Sequence, residues 1–323
     1  MKLAVDALNL QRDRRGMGRI VRGVLRAAQE SGIVFTLIEN VRDAKRASYD
    51  AIWYPWNGIR FAAQAPSLVH IHDTFALHEK DLNWIARRRV QGPMFRAARE
   101  ATLIATDSEW SRTQIERELS VAGQRITVIP LAPDPFFSSG ENNDASLPAR
   151  PYVLMVGAQE ERKNARLLIE AFSQAFPEGD VTLVIAGSLA DDTAREAASH
   201  GTRIVRETPD DERLRALYRA AACVAVPSLA EGFGLVVVEA QACGAPVLAA
   251  NASALPEAAG DAAMLLPPHD AGAWRDALRN VVRDRNVASR LRALGAARWD
   301  RAARDAPARA ILAVLHDLAN QTA

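Results

Sequence analysis

The segment Glu231–Ala240, EGFGLVVVEA, sets two carboxylates around a Gly-Phe-Gly turn that opens directly into a helix-length apolar run. Gly232 and Gly234 strip side chains from the turn, so a ligand can approach the main chain there. The free N–H groups of a helix start would face that ligand, an arrangement suited to an oxygen-rich or anionic group. Glu231, ahead of the turn, and Glu239, about one helical turn beyond it, can each accept hydrogen bonds from hydroxyls held against it. The plain alternative for either carboxylate is that acidic residues favour helix N-termini.

A second charged turn follows the run Tyr152–Val156, where Gly157 leads into AQEERKN and a helix is expected with Asn164 as its N-cap. Arg162 and Lys163 would sit at the positive end of that helix, which costs a few tenths to about 1 kcal/mol unless an anion binds. A diphosphate would supply the missing charge, and so would the adjacent Glu160 and Glu161. In HIHDTFALH, His70 and His72 share a strand face and could grip a metal, but no third ligand is placed and no metal is expected. The other reading has one imidazole bonding a ligand at the strand end while the other packs, with His72 the nearer to the loop. Gly16 and Gly18 follow the first strand without completing a GxGxxG fingerprint, because the next glycine, Gly23, comes too late. The helix-length stretch from Leu82 sets Trp84, Ile85, Met94 and Phe95 among Arg87, Arg88, Arg89, Arg96 and Arg99. It reads either as a basic amphipathic helix on an anionic bilayer or as a surface helix with a core-facing stripe.

Short β-rich runs alternate with helix-length segments, which argues for parallel sheets covered by helices, an α/β chain. Strands are expected at Lys2–Asp6, Val34–Ile38, Ala51–Tyr54, Leu68–Ile71, Leu103–Thr106 and Ile126–Ile129, with helices near Gly18–Gln29, Leu82–Ala98 and Ser111–Leu119. Ser138–Arg150, SSGENNDASLPAR, reads as a linker. The alternation then restarts, with strands at Tyr152–Val156, Thr182–Ala186, Arg203–Val205, Val224–Val226, Val247–Ala249 and Met264–Leu266. Helices are expected at Ala165–Phe176, Asp211–Ala221, Leu235–Cys243 and Ala271–Val282. Two Rossmann-like domains are therefore expected, 1–145 and 151–300, facing each other across a cleft, with a helical tail over 301–323 packing back onto the first.

Composition sets the outer limits. The 323 residues are 49% hydrophobic and 24% charged, enough for two cores and far from a disordered chain. Residues 1–150 hold 21 Lys and Arg against 17 Asp and Glu, and the remainder 19 against 22. That mild basic excess suits anionic small ligands or an anionic membrane surface and falls short of a nucleic-acid binder. No apolar run approaches the roughly 18 residues of a membrane span, and MKLAVDALNLQRDRR lacks a signal-peptide core, so a cytoplasmic protein is expected, with peripheral contact at the inner membrane face open. Cys223 and Cys243 lie in small apolar surroundings and read as core.

Taken together, these motifs resemble the retaining glycosyltransferases of the two-Rossmann GT-B class, family 4. The resemblance rests on the GMGR loop, HDTF at His72–Phe75, TDSEWSRTQI at Thr106–Ile115, VIPLAPDPFF at Val128–Phe137, YVLMVGAQEERKN at Tyr152–Asn164, PSLAEGFGLVVVEAQACGAPVLA from Pro227 and ALPEAAGDAAMLL at Ala254–Leu266. It implies transfer of a sugar from a nucleotide diphosphate donor to a glycan or lipid-linked acceptor in surface polysaccharide synthesis, without a metal or other cofactor. By motif, Arg162 and Lys163 would neutralise the donor diphosphate and Glu239 would hold the ribose. Glu231 and the main chain of Phe233, Gly234 and Leu235 would hold the sugar. His72 would reach the sugar from the first domain, Gly16 and Gly18 would lie near the acceptor or phosphate, and Val205 and Arg206 would border the base. GDP-mannose is the expected donor, with UDP- and dTDP-sugars, or a non-catalytic nucleotide-sugar-binding subunit, as alternatives. Two departures stand out: Val236 replaces the Pro often found after EGFGL, and Ala132 the Gly usual after the VIP strand.

Overall fold

The computed structural model describes every residue except 14–15, 46–47, 80–81, 142–143, 145, 149–150, 200–201 and 322–323. The chain divides into two compact units, Met1–Asp134 with Asp305–Ala323, and Pro135–Arg304.

In the first unit, strands β1 (Leu3–Asp6), β2 (Phe35–Ile38), β3 (Ala51–Tyr54), β4 (Ser67–His70), β5 (Leu103–Thr106) and β6 (Ile126–Val128) form one parallel sheet in the order β2-β1-β3-β4-β5-β6. Its helices are α1 (Gly16–Glu30), α2 (Trp84–Glu100) and α3 (Glu109–Leu119). Because strand side chains alternate in direction, Ala4, Ile52, Tyr54, Val69 and Ile104 pack one face against Met94, Ala97, Ile115 and Leu119 of α2 and α3. Leu3, Val5, Trp53 and Leu68 pack the other face against Val21 and Val24 of α1 and against the C-terminal helix, whose Ala308, Ile311, Leu312, Leu315 and Leu318 recur at helical spacing.

The second unit repeats the plan with β7 (Tyr152–Ala158), β8 (Thr182–Leu189), β9 (Ile204–Glu207), β10 (Cys223–Val226), β11 (Val247–Ala250) and β12 (Met264–Leu266), parallel in the order β12-β11-β10-β7-β8-β9. Its helices are α4 (Ala165–Ala175), α5 (Asp191–Ser199), α6 (Asp211–Ala220), α7 (Leu235–Ala242), α8 (Leu255–Ala259), α9 (Ala271–Arg283) and α10 (Arg285–Arg298); α11 (Arg301–Asn320) is the C-terminal helix already met in the first unit's core. Helices α5, α8 and α10 were not expected from the sequence. α8 is a single turn between Ala254 and Gly260, and α10 follows α9 with only Asp284 between, capping the new helix through a bond from Asn286 N–H.

The unit boundary falls ahead of the polar segment read as a linker. Phe137 is fully buried, edge-on to Tyr218 at 5.8 Å, and Arg215 lies over the Phe136 ring at 4.0 Å. Arg219 Nε donates to the Ser138 carbonyl at 2.7 Å and Arg213 pairs with Asp144 at 2.7 Å. The Ser, Asn and Asp content of 138–150 correctly marks an exposed strip, but the arginines of α6 tie that strip down. Positions 142–143, 145 and 149–150 of it lie outside the described residues. Both cysteines are buried, which pushes their thiols up to about 12.

Candidate active site

Two loops of the second unit meet at the carboxyl ends of neighbouring strands. β7 bends through Gly157, at φ +74°, with a register shift against β8, and passes into a short 3₁₀ turn over Glu161–Lys163. β10 leads through Pro227–Phe233 to Gly234 and α7. The loops are stitched by main chain: Leu229 N–H donates to the Arg162 carbonyl at 2.7 Å, and Arg162 Nη1 donates to the Ala230 carbonyl at 3.0 Å. Gly234 caps α7 at φ +117°, and a Cβ there would stand 3.0 Å from Leu255 Cδ2, so glycine is required both by backbone and by space. Asn164 is in the left-handed region at φ +57° and does not cap α4 with its side chain, as the sequence suggested. Its Nδ2 instead donates to the carbonyls of Pro227 and Pro268, fastening the basic turn to its neighbours.

Within this frame the structure brings Arg162, Lys163 and Glu231 together. Lys163 Nζ lies 2.7 Å from Glu231 Oε1 and Arg162 Nη1 3.0 Å from Oε2, with the Glu231 N–H donating to Ser253 Oγ at 2.9 Å. Burial alone would raise the Glu231 pKa, but the Lys163 and Arg162 charges beside it outweigh that and hold the carboxyl below the usual range. Arg162 also takes a two-point contact from Glu160, at 2.8 and 3.1 Å. Of the adjacent carboxylates foreseen for the basic pair, Glu160 is engaged, and Glu231 from the other loop pairs with both cations. Glu160 is 59% exposed, whereas Lys163 and Glu231 are 16% and 13% exposed.

Glu239 is on α7, as its spacing required, but is nearly buried and accepts from the Tyr218 hydroxyl at 3.2 Å. Phe233 is buried at the helix start. Val205 and Arg206 stand on β9, the edge strand, separated from β7 by β8, and are not part of the Arg162–Glu231 cluster. Gly16 and Gly18 open α1 of the first unit. Gly16 has φ +41°, and a Cβ on Gly18 would collide with the Asp13 carbonyl, so there the glycine serves the close approach of its own loop.

His72 departs from expectation. Its Nδ1 lies 2.7 Å from Asp107 Oδ2 and its Nε2 3.1 Å from the Pro55 carbonyl, so neither ring nitrogen is left for a sugar. His70, stacked on it at 4.3 Å, reaches the other oxygen of Asp107 at 2.6 Å. A carbonyl only accepts, so His72 carries hydrogen on both nitrogens and is the charged partner. Burial alone would lower its pKa, but Asp107 and the Pro55 carbonyl hold it above the ordinary imidazole value. Burial, and the charge on His72, hold His70 below that value, and the two imidazoles hold Asp107 below the carboxylate range against its own burial. Asp107 is the third group missing from the sequence reading. The ligand atoms of all three residues lie within 4.8 Å, but the contacts of 2.6 and 2.7 Å are hydrogen-bond lengths, shorter than the separation of ligands around a metal at roughly 2.0–2.2 Å. Asp107 stands in the TDSEWS motif, and its distance of 35 residues from His72 hid the pairing.

α2 carries the core-facing stripe foreseen for a surface helix. Gln91, Met94, Ala97 and Ala98 face inward, while Trp84, Ile85 and Phe95 stay exposed, Trp84 by 73%.

This architecture is the GT-B class of glycosyltransferase fold. The structure superposes on WaaG, a glycosyltransferase involved in lipopolysaccharide biosynthesis, with a TM-score of 0.73 at 17% identity, over 95% of this chain and 98% of that one. It superposes on Anabaena HepE in complex with UDP and glucose with a TM-score of 0.71 at 19% identity, over 98% and 99%. Residues 150–284 match the family model described as Glycosyl transferases group 1. The chain is 33% identical over 189 residues to the Escherichia coli O-antigen chain mannosyltransferase B, covering 54% of this chain and 49% of the relative. It is 31% identical over 208 residues to the D-inositol 3-phosphate glycosyltransferase of Corynebacterium glutamicum (strain R), covering 57% and 50%. The chain spans about half the length of these curated relatives. Among the described residues, no helix is long and apolar enough to cross a membrane.

Proposed function

We propose that this chain is a retaining glycosyltransferase that moves a sugar from a nucleotide diphosphate donor to a glycan or lipid-linked acceptor, without a metal. The observation that carries the proposal is the joined turn in which Arg162, Lys163 and Glu231 meet beside the glycine-opened start of α7. Breaking the anomeric C–O bond develops positive charge on the sugar and negative charge on the leaving diphosphate. Fixed cations and helix N–H groups aimed at the phosphates lower that barrier, and losing one such donor costs about 3 kcal/mol, or 10²–10³ in rate.

Without a donor the two cations are matched by Glu231 and Glu160, so a diphosphate enters by exchange. Glu160, the more exposed carboxylate, yields Arg162 to the phosphate, and Glu231 turns from Lys163 to the sugar hydroxyls. Glu239 on α7 serves the ribose, and Val205 and Arg206 on the edge strand border the base. The leaving phosphate takes the acceptor proton on the same face, so no strong general base is needed. His72 enters as a fixed positive charge held by Asp107 rather than as a donor to the sugar.

GDP-mannose is the proposed donor, supported by the mannosyltransferase relative; a UDP-sugar is the alternative, supported by the UDP named with the HepE structure. The acceptor belongs to surface polysaccharide synthesis, and the exposed Trp84 and Ile85 with Arg87 and Arg88 give α2 a face for peripheral contact with an anionic cytoplasmic membrane surface. Incubation with GDP-mannose, UDP-glucose and a dTDP-sugar, read as thermal shift and slow donor hydrolysis, tests the proposal. One donor stabilises and is hydrolysed if the proposal holds; stabilisation by none of the panel contradicts it.

A further inference from the structure

The first unit holds a cavity of about 720 Å³ that none of the motifs addresses. It opens where the chain reverses its order across the sheet, β1 being flanked by β2 on one side and β3 on the other, the position where open α/β sheets bind ligands. Three cations converge on it from separate elements: Arg12 from the β1–α1 connection, Arg60 from the segment after β3, and Arg89 from α2. Asp13 is the one carboxylate in the lining, and among the described residues none of the three guanidiniums pairs with a carboxylate. Asp6, outside the lining, lies near enough to feel the Arg60 charge; burial pushes its pKa up to about 6, so near neutral pH it stays largely ionised and offsets part of one of the three cations.

The walls are built rather than loose. The Asn9 carbonyl accepts from the N–H groups of Arg12 and Asp13 at 3.0 and 2.9 Å, and Arg22 Nη1 donates to the Asp13 carbonyl at 2.9 Å, so the first connection is held as a closed turn. On the other side Trp56 Nε1 donates to the Asp6 carbonyl at 2.7 Å, and Asn57, at φ +53°, accepts from the His72 N–H at 2.7 Å. Gly58, at φ +141°, lies so close to α2 that a Cβ would stand 2.7 Å from the Met94 nitrogen, and Ile59 N–H donates to the Pro93 carbonyl at 3.0 Å. That docking fixes the segment bearing Arg60 against the helix bearing Arg89.

We infer that this cavity binds a phosphate ester on the acceptor, its non-bridging oxygens held by Arg12, Arg60 and Arg89 and its hydroxylated part lying against Asn57 and Trp56. A phosphate monoester carries about −1.5 to −2 charges on three strong acceptor oxygens, and guanidinium forks match it two bonds at a time. That demand fits three cations and one carboxylate better than a neutral sugar does. That the ester belongs to the acceptor rests on the transferase reading; the phosphate site does not.

The test is ³¹P NMR titration of the full chain with glycerol 3-phosphate, with glycerol as the neutral control followed by proton line broadening, alongside sedimentation with phosphatidylglycerol vesicles in a phosphatidylcholine carrier. Arg60→Ala and Arg89→Ala are both exposed changes and are checked for unchanged melting. Binding of glycerol 3-phosphate but not glycerol, weakened at least tenfold in both variants, establishes the site for a soluble ester. Binding confined to vesicles and lost in Arg60→Ala, a residue off the amphipathic helix, establishes it for a lipid-borne phosphate. No binding in either arm, or binding unchanged in both variants, overturns the inference. Nucleoside diphosphate affinity is measured in parallel: it should survive both variants and fall in Lys163→Ala. Loss of nucleotide binding in Arg60→Ala would assign the cavity to the donor and also overturn the inference, while loss confined to Lys163→Ala leaves the donor reading standing whatever the phosphate arm shows.

Discussion

Two charge clusters of similar size do different things in this chain. His70, Asp107 and His72 are sealed in the first unit, at 0%, 2% and 10% side-chain exposure, whereas Arg162, Lys163 and Glu231 in the second retain 25%, 16% and 13%. In the sealed cluster the side-chain hydrogen bonds are internal except for that of His72 to the Pro55 carbonyl, and of the three side chains' polar atoms His70 Nδ1 has no hydrogen-bond partner. A buried charge deprived of its partner has no water to turn to, so that cluster acts on stability. The more open cluster is the one proposed to exchange a carboxylate for a ligand phosphate, and its greater exposure, rather than its charge composition, is what sets it apart.

The two clusters differ most at Asp107. Asp107→Ala should destabilise the first unit by about 3–5 kcal/mol, read from denaturant unfolding, because it strands a buried imidazolium. Lys163→Ala should leave the melting temperature nearly unchanged and lower transfer by 10²–10³, seen in initial rates. Equal damage to stability at both sites would erase the distinction.

The sealed cluster also carries a pH signature. Asp107 and His70 have folded pKa values below the ordinary 3.8 and 6.5, so their stabilisation is complete above those values and is lost as pH falls through the folded ones. His72 is raised, so its contribution is complete below 6.5 and is lost as pH climbs through its folded value. Unfolding free energy should therefore decline on the alkaline side of 6.5, and His72→Gln should abolish that decline. Smaller still is Glu160→Gln, which removes a competitor for Arg162 and should tighten donor binding a few-fold in calorimetry, with the melting temperature unmoved. Charge reversal across Arg87–Arg89 should lower sedimentation with anionic vesicles; unchanged sedimentation would remove the membrane contact from the account.

The sequence made local features legible. The alternation of β-rich and helical segments placed all twelve strands to within a few residues, because a parallel strand buried on both faces is a short apolar run whatever surrounds it. The EGFGL turn and the basic pair were legible because each spans only a few residues. What escaped depends on distance along the chain. Asp107 meets two histidines from another strand, and Tyr218 on α6 reaches Glu239 on α7. Arg12, Arg60 and Arg89 converge only because the strand order reverses between β2 and β3. The polar strip after Phe137 reads as a linker because its composition reports exposure and is silent on the arginines of α6 that hold it.

Arg162, Lys163 and Glu231 are proposed to seat a nucleotide diphosphate, and calorimetric titration of the wild-type chain and of Lys163→Ala with GDP-mannose and UDP-glucose decides whether they do. Saturable binding of one of them by the wild type is expected, with a loss of ten-fold or more in the variant and both proteins melting at the same temperature. Equal affinity in the two proteins would show that the pair does not hold the donor.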